Sequence, residues 1–319
     1  MKIFNTPSWS LDADDESKLR QVNKRKAQSG AFAEASLFAA QEKQNFALYD
    51  PHLTDIERGW LLSEAQLELR RGKRQERCAS GFNLRTITTG VDTTMTLVEQ
   101  RGYFCKRHTC AVCAVSRARK LHATVVFRYD QALERIPNLV ALHLTLTQLP
   151  VDLDSLDLGI DKLHAGVRKF LKLAEIAAAV EGSFRRTEIS WNPVDCHWHV
   201  HAHIILLVRG PYGPRTHHWL DQPHLVQLWG EIIGLPDFVS VNIKRVYDRE
   251  TGADDPDGVR VGLIHVSKYL CKPAGLFQIA ADGTYSIAPA IAAALEKGIF
   301  KRRTYAFAGV FASRWKPKR

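Results

Sequence analysis

Cys196-His197-Trp198-His199-Val200-His201-Ala202-His203-Ile204-Ile205-Leu206-Leu207-Val208 is the stretch whose reading decides the fold. Histidine stands at every second position, and the run then turns apolar. A period of two is strand geometry, so His197, His199, His201 and His203 project from one face of one strand. Trp198, Val200 and Ala202 line the other face. Each imidazole carries a donor and an acceptor that need partners, which makes a row of them poor packing material. A row of imidazoles on a rigid strand suits a divalent metal site, and the competing reading is a solvated polar edge.

Just upstream, Phe184-Arg185-Arg186-Thr187-Glu188-Ile189-Ser190-Trp191 reads as a strand, and Asn192-Pro193-Val194-Asp195 supplies turn chemistry. Two strands with so short a connection form an antiparallel hairpin. A loop centred on residues 194 and 195 places Glu188 opposite His201 and Ser190 opposite His199. Glu188 then shares the histidine face and completes a metal site. One carboxylate with two imidazoles suits Mn2+ or Mg2+ with open positions, with Zn2+ as the alternative. Residues 138–147 alternate as a further strand, with His143, Thr145 and Thr147 on one face. Residues 163–180 read as one amphipathic helix, 220–233 as another, 239–246 as a strand, and 250–258 as a polar loop.

A second cluster of ligand types lies in Tyr103-Phe104-Cys105-Lys106-Arg107-His108-Thr109-Cys110-Ala111-Val112-Cys113. The C-x4-C-x2-C spacing brings three thiolates within reach of one tetrahedral ion. Cys78 is the natural fourth ligand, delivered by a β-patterned hairpin (86–89 and 94–98), with His108 in reserve. Near-adjacent thiols without metal are an oxidation liability, so structural Zn2+ is expected over plain core cysteines. Cys196 and Cys271 stand apart and read as small apolar residues.

The chain has 319 residues, 45% of them hydrophobic, ordinary for one or two globular domains. It shows neither an apolar run of about 18 residues nor a secretion signal, so no membrane association and a cytoplasmic location are expected. The formal charge of +10 favours a polyanionic partner, and nucleic acid is the commonest. Residues 1–77 read as a basic helical arm, with helix starts at Asp12-Ala13-Asp14-Asp15-Glu16-Ser17 and Thr54-Asp55-Ile56-Glu57. Its run Arg70-Arg71-Gly72-Lys73-Arg74 is either a solvated face or a DNA contact. Arg117, Arg119, Lys120 and His122 fall on a helix over 116–129, and the C-terminal segment is strongly basic.

Leu263-Ile264-His265-Val266-Ser267-Lys268-Tyr269-Leu270-Cys271-Lys272-Pro273 reads as a helix ended by proline, stacking His265, Tyr269 and Lys272 at i, i+4 and i+7. A tyrosine between a base and an ammonium has the ingredients of an activated phenolate nucleophile. A packed tyrosine with its hydroxyl at the surface is the equal alternative.

Together, in this order, four landmarks resemble the rolling-circle replication initiators of small bacterial plasmids, single-tyrosine members of the HUH endonuclease superfamily. Leu142-His143-Leu144-Thr145-Leu146-Thr147 resembles their first motif, and Trp198 to Leu206 their metal motif, with His201 and His203 in the histidine–hydrophobic–histidine places. Lys268-Tyr269-Leu270-Cys271-Lys272 is similar to their nucleophile motif, a Tyr followed three residues later by Lys. Cys78 with Cys105, Cys110 and Cys113 resembles the cysteine knuckle many members carry. Two departures stand out: His265 occupies the place where some members have a terminating Glu, and Ala202 is smaller than the usual residue between the histidines.

The resemblance implies an α+β fold: an antiparallel sheet with helices on one face, close to the ferredoxin-like arrangement, preceded by a helical arm and a zinc knuckle. The expected divisions are a basic helical arm at 1–77, the knuckle and basic helix at 78–130, and an HUH nuclease domain with a basic tail at 131–319. The implied activity is nicking of one origin strand. Tyr269 attacks the phosphate, His201, His203 and Glu188 hold Mn2+ or Mg2+, Lys272 steadies the charge, and His265 serves as a base. A 5′-phosphotyrosyl adduct and a free 3′-OH result. The implied partners are origin DNA, single-stranded at the nick, with a host helicase and polymerase. Conjugative relaxases and single-strand transposases share this chemistry. The reading outside the enzymes is a zinc-dependent DNA-binding regulator, which would keep all its metal tightly.

Overall fold

The computed structural model describes residues 13–78, 83–88, 94–99, 104–216, 219–235, 239–248, 250–252, 255–267, 270 and 275–312, without the side chains at 13–20, 22, 83–88, 94–99, 264 and 265. The chain divides into two compact units, Met1–Ala114 with Phe277–Ala293, and Val115–Leu276 with Ala294–Arg319. No helix among the described residues is long and apolar enough to cross a membrane.

In the first unit, α1 (Ala13–Tyr49) and α2 (Asp55–Glu76) pack as a helical hairpin. The start of α2 is the one its sequence announces: Thr54 and Glu57 form a reciprocal capping box. Asp55 and Glu57 in the first turn, with Lys73 and Arg74 in the last, complement the helix dipole. Across the hairpin, Lys43 Nζ reaches Glu64 at 3.1 Å and Glu68 at 2.9 Å, and Arg58 donates to the carbonyls of Ala47 and Asp50. The next two strands, β1 (Asn83–Thr88) and β2 (Thr94–Glu99), form an antiparallel pair, and α3 (Ala111–Arg135) begins here.

The second unit is built on a sheet. Its chain order is β3 (Leu139–Thr147), β4 (Val151–Asp152), α4 (Leu156–Phe170), α5 (Ala174–Ala179), β5 (Val180–Asn192), β6 (His197–Arg209), α6 (Gln222–Ile233), β7 (Val241–Arg245) and α7 (Pro256–Ser267). Two short strands, β8 (Gln278–Ile279) and β9 (Tyr285–Ser286), belong to the first unit; α8 (Pro289–Ile299) and then β10 (Tyr305–Gly309) follow. Strands lie in the order β10-β5-β6-β3-β7, every pair antiparallel, with β4 added beside β6. The α+β antiparallel architecture, the helical N-terminal region and the four-cysteine cluster agree with the sequence expectation.

Three details differ from it. The single helix expected over 163–180 is two, α4 and α5, and the chain is already strand at Val180, which pairs with Val208. An apolar, alanine-rich run carries no period that separates helix end from strand start, so pairing with β6 decides. The loop expected over 250–258 ends early, because Pro256 and Asp257 open α7. The helical cover also extends to both faces. On one, α4 packs on β6, whose Trp198, Val200, Ala202, Ile204 and Leu206 are fully buried, and α6 packs on α4 and β7. Gly166 permits that packing, since a Cβ there would meet the Trp229 ring at 2.9 Å. On the other, Val125 and Tyr129 of α3 and Leu263 and Val266 of α7 bury Ala141, Phe184, Ile205 and Leu207. Among the described residues, none of the histidines belongs to that apolar cluster.

His164 on α4 is buried against the apolar face, with its Nε2 2.8 Å from Thr187 Oγ1. Burial first, and the neighbouring Arg185 second, pull its pKa down from 6.5 to about 3. Between those values the unfolded chain takes a proton that the folded chain refuses. Stability is therefore full above pH 6.5 and falls with pH through that window, by about 1.4 kcal/mol per unit. His164→Gln should flatten the fall in urea midpoint from pH 7 to 4 relative to wild type; parallel curves would contradict it.

Candidate functional site

The β5–β6 hairpin turns at Asn192 to Cys196. The Val194 N–H donates to Asn192 Oδ1, and Cys196 closes the turn at a φ of 53°. Glu188 pairs with His201 and Ser190 with His199, the register the loop spacing predicts. On the other side of β6, Thr145 pairs with His203 and Thr147 with His201. Side chains alternate, so one face collects Arg186 and Glu188 from β5, the histidines from β6, and His143, Thr145 and Thr147 from β3.

Within that row the rings are oriented. Thr147 Oγ1 lies 3.1 Å from His201 Nδ1, and Thr145 Oγ1 lies 3.2 Å from His203 Nδ1, with His143 Nε2 at 3.1 Å from the same nitrogen. Engaging Nδ1 directs Nε2 toward a ligand, the usual second-shell arrangement of metal-binding histidines. His203 Nε2 is buried, makes no hydrogen bond, and faces Glu188 Oε2 at 3.5 Å. Adjacent ligands on an octahedral ion with bonds near 2.1 Å stand about 3 Å apart, so this pair needs only slight tightening to share one. His201 and His203 have ring centroids 6.5 Å apart, and the three side chains are not drawn into a tight cluster. Among the described residues, the cysteines alone form a group of three or more such side chains with ligand atoms within 4.8 Å of one another. His199 stacks on His201 at 6.3 Å, and His197 is held at the hairpin end by Asp152 at 3.1 Å.

Arg186 pairs with His203 on the same face and is buried. Burial first and the nearby Arg117 second bring its guanidinium down to about 10, still cationic at neutral pH. A fixed positive charge therefore stands beside the histidine–carboxylate pair.

Tyr269, Lys272 and Lys268 lie outside the described residues, as does the side chain of His265, whose backbone is in α7. The flanking chain is described. Leu270 O accepts from the N–H of Ile189, the residue after Glu188, at 2.8 Å. Gly275 (φ 82°) approaches Trp191 O so closely that a Cβ there would lie 2.3 Å from it. Ser267 Oγ at the end of α7 lies 3.2 Å from His122 Nδ1. The helix is described as far as Ser267 and Leu270 is not helical, and the expected stacking of His265, Tyr269 and Lys272 falls on side chains outside the described residues.

In the first unit, Cys78, Cys105, Cys110 and Cys113 converge, all buried. Sγ atoms of Cys78 and Cys110 are 3.4 Å apart, of Cys78 and Cys113 3.5 Å, and of Cys105 and Cys113 3.7 Å. A tetrahedral ion with Zn–S bonds near 2.3 Å sets its sulfurs about 3.8 Å apart, so the cluster fits a metal such as zinc. Hydrogen bonds from Cys105 and Cys113, with Ser29 Oγ at 3.2 Å, hold the Cys110 thiol well below the usual range, whereas burial pushes Cys78 up. Cys78, not His108, is the fourth member.

Sequence reading placed Thr145 and Thr147 on one face without giving them a role, and it passed over Arg186. The signal was available in parity: Arg186 has the same strand phase as Glu188, and β3 has a polar face only where it meets the histidines.

A family model described as Replication protein matches residues 96–319. Among curated proteins, the chain is similar to a Protein rep of Staphylococcus aureus, 26% identical over 156 residues, covering 47% of this chain and 67% of that protein. A Protein rep of Streptococcus pneumoniae serotype 2 is 23% identical over 216 residues, covering 66% and 62%, and one of a Bacillus species is 28% identical over 146 residues, covering 46% and 47%. The chain thus spans from about half to two thirds of the length of these relatives. No solved structure matches it.

Metal analysis of the purified chain should find about one zinc ion per molecule, lost in Cys110→Ala and kept in Cys196→Ala, whose thiol is exposed and apart from the cluster. Zinc retained in Cys110→Ala would contradict a four-thiolate site.

Proposed function

The chain belongs to the replication-protein family, and from that premise we propose that it initiates rolling-circle plasmid replication by nicking one origin strand through a tyrosine nucleophile. The observation that carries the reading is His203 Nε2, buried without a hydrogen bond and turned toward Glu188 on the histidine face of the sheet, with His201 one place along. A buried ring nitrogen in that state asks for a ligand.

His201, His203 and Glu188 would hold the divalent ion, Mn2+ or Mg2+, which when bound supplies positive charge to a non-bridging oxygen of the scissile phosphate. Thr145 and Thr147 hold the two rings through Nδ1, which limits how far the donor atoms turn as they close on an ion. Arg186 adds a second positive charge beside them. Tyr269 attacks phosphorus: its Oη–P bond forms, the P–O3′ bond breaks, and the 3′ oxygen leaves as a hydroxyl while the 5′ phosphate stays on the enzyme. The tyrosine proton passes to a base, for which His265 is the candidate, and Lys272 steadies the phenolate electrostatically. The described Leu270 supports this assignment, since its carbonyl is tied to the backbone next to Glu188. The phosphotyrosyl diester conserves the energy of the broken bond, so the strand can be rejoined without a nucleotide cofactor.

Affinity for DNA follows from the charge of +10, and binding should be steeply salt-dependent. The free 3′-OH serves a host polymerase, with a host helicase opening the duplex; the reaction belongs to the cytoplasm. Incubation with labelled single-stranded origin DNA and Mn2+ should give a covalent, protease-sensitive band. Tyr269→Phe should abolish it, a loss of at least about 10³-fold. An undiminished band from that variant overturns the nucleophile.

A further inference from the structure

Arg185 on β5 pairs with Ile204 of β6 and Ala306 of β10, which puts it on the face of the sheet opposite Glu188 and the histidines. It is buried, with 8% of its surface exposed. Burying a guanidinium is costly unless a carboxylate or a full set of acceptors answers it. Here neither does. Nη2 donates to the Arg303 carbonyl at 3.3 Å, and Nε is buried without a hydrogen bond. The charge acting on Arg185 is another cation, Arg168 in the last turn of α4. Burial first and Arg168 second lower the Arg185 pKa to about 10, so it stays charged at neutral pH. The corner around it is short of negative charge. Acting on His164 are the cations Arg185, Arg168 and Arg302, against the single carboxylate of Asp161. That carboxylate is already engaged by Arg302, through Nε at 2.9 Å and Nη2 at 2.7 Å. Two guanidiniums are left over, and Arg168 is exposed, which gives the pair access to a ligand from solvent.

We propose that Arg185 and Arg168 form an oxyanion site that holds one phosphate group on the side of the sheet away from the histidines. A phosphate has oxygens enough to bridge two guanidiniums, and the arginine fork matches a pair of them. A chloride ion would use none of that fork geometry. The buried Nε of Arg185 supplies a donor that no protein acceptor takes, and the exposed Arg168 completes the charge. Position excludes the scissile phosphate as the occupant, because Arg185 and Glu188 belong to opposite faces of β5. The group comes either from a small phosphorylated compound or from a nucleic-acid backbone passing α4, and two measurements separate these sources.

The first is equilibrium dialysis of the full zinc-loaded chain against radiolabelled inorganic phosphate at fixed ionic strength in sodium chloride. It should find a saturable site, weakened at least about tenfold in Arg168→Gln and in Arg185→Met. Lys169→Gln, which removes the same charge from the next, exposed position of α4, should leave it unchanged. The second is the slope of log K against log salt for a duplex oligomer in phosphate-free buffer. A slope lower by about one in Arg168→Gln and Arg185→Met assigns the site to a backbone phosphate, and an unchanged slope beside lost dialysis binding assigns it to a small phosphorylated compound. Arg185→Met should also melt no lower than wild type without phosphate, since the cation it removes has no carboxylate partner. A midpoint lowered by about 5 °C or more would make Arg185 a structural residue and overturn the site. So would a wild-type chain without saturable phosphate binding, wild-type binding in both arginine variants, or a Lys169→Gln loss as large as theirs.

Discussion

The pairing of β6 with β5 on one side and β3 on the other is the constraint on which the site depends. Three strands in fixed antiparallel register put Glu188 and Arg186, the histidines, and Thr145 and Thr147 on one surface. The opposite surface of β6 is Trp198, Val200, Ala202, Ile204 and Leu206, all fully buried. A slip of one residue would exchange the two sets, driving four imidazoles into the core and a tryptophan into water. The hydrophobic burial that stabilises the sheet therefore also fixes the chemistry of its other face.

The cover that α3 and α7 give that other face limits where the site lies. They pack over Ala141, Phe184, Ile205 and Leu207, the apolar end of the strands, and among the described residues none of the histidines belongs to that apolar cluster. The same strand serves two solvents along its length, which is why its sequence changes from alternating to continuously apolar at Ile204. Where both faces are buried alternation is lost, and where one face meets ligands it returns. Beyond α7, the described Leu270 and Gly275 both approach β5, the strand that carries Glu188, at Ile189 and Trp191.

Much of this was legible in the residues. Period two in 197–203, the Asn192–Asp195 turn and the resulting Glu188–His201 register needed no more than strand geometry and loop length. The four-cysteine cluster was legible from spacing, although the partner of the C-x4-C-x2-C run had to come from 27 residues before its first cysteine. What the sequence concealed was set by tertiary packing. The break between α4 and α5 and the strand start at Val180 are decided by β6, not by local propensity. Arg186 reads as part of a charged pair with Arg185, yet the pleat sends them to opposite faces, Arg186 toward His203 and Arg185 toward the side of Ile204.

The central claim, which is our proposal, is that His203, His201 and Glu188 hold one divalent ion on the histidine face of the sheet. Its most direct test is Mn2+ titration followed by electron paramagnetic resonance on the zinc-loaded protein. The account predicts one saturable Mn2+ site, abolished in His203→Ala and weakened at least about tenfold in Glu188→Gln, with zinc content unchanged in both. Mn2+ binding of wild-type strength in both variants would contradict it.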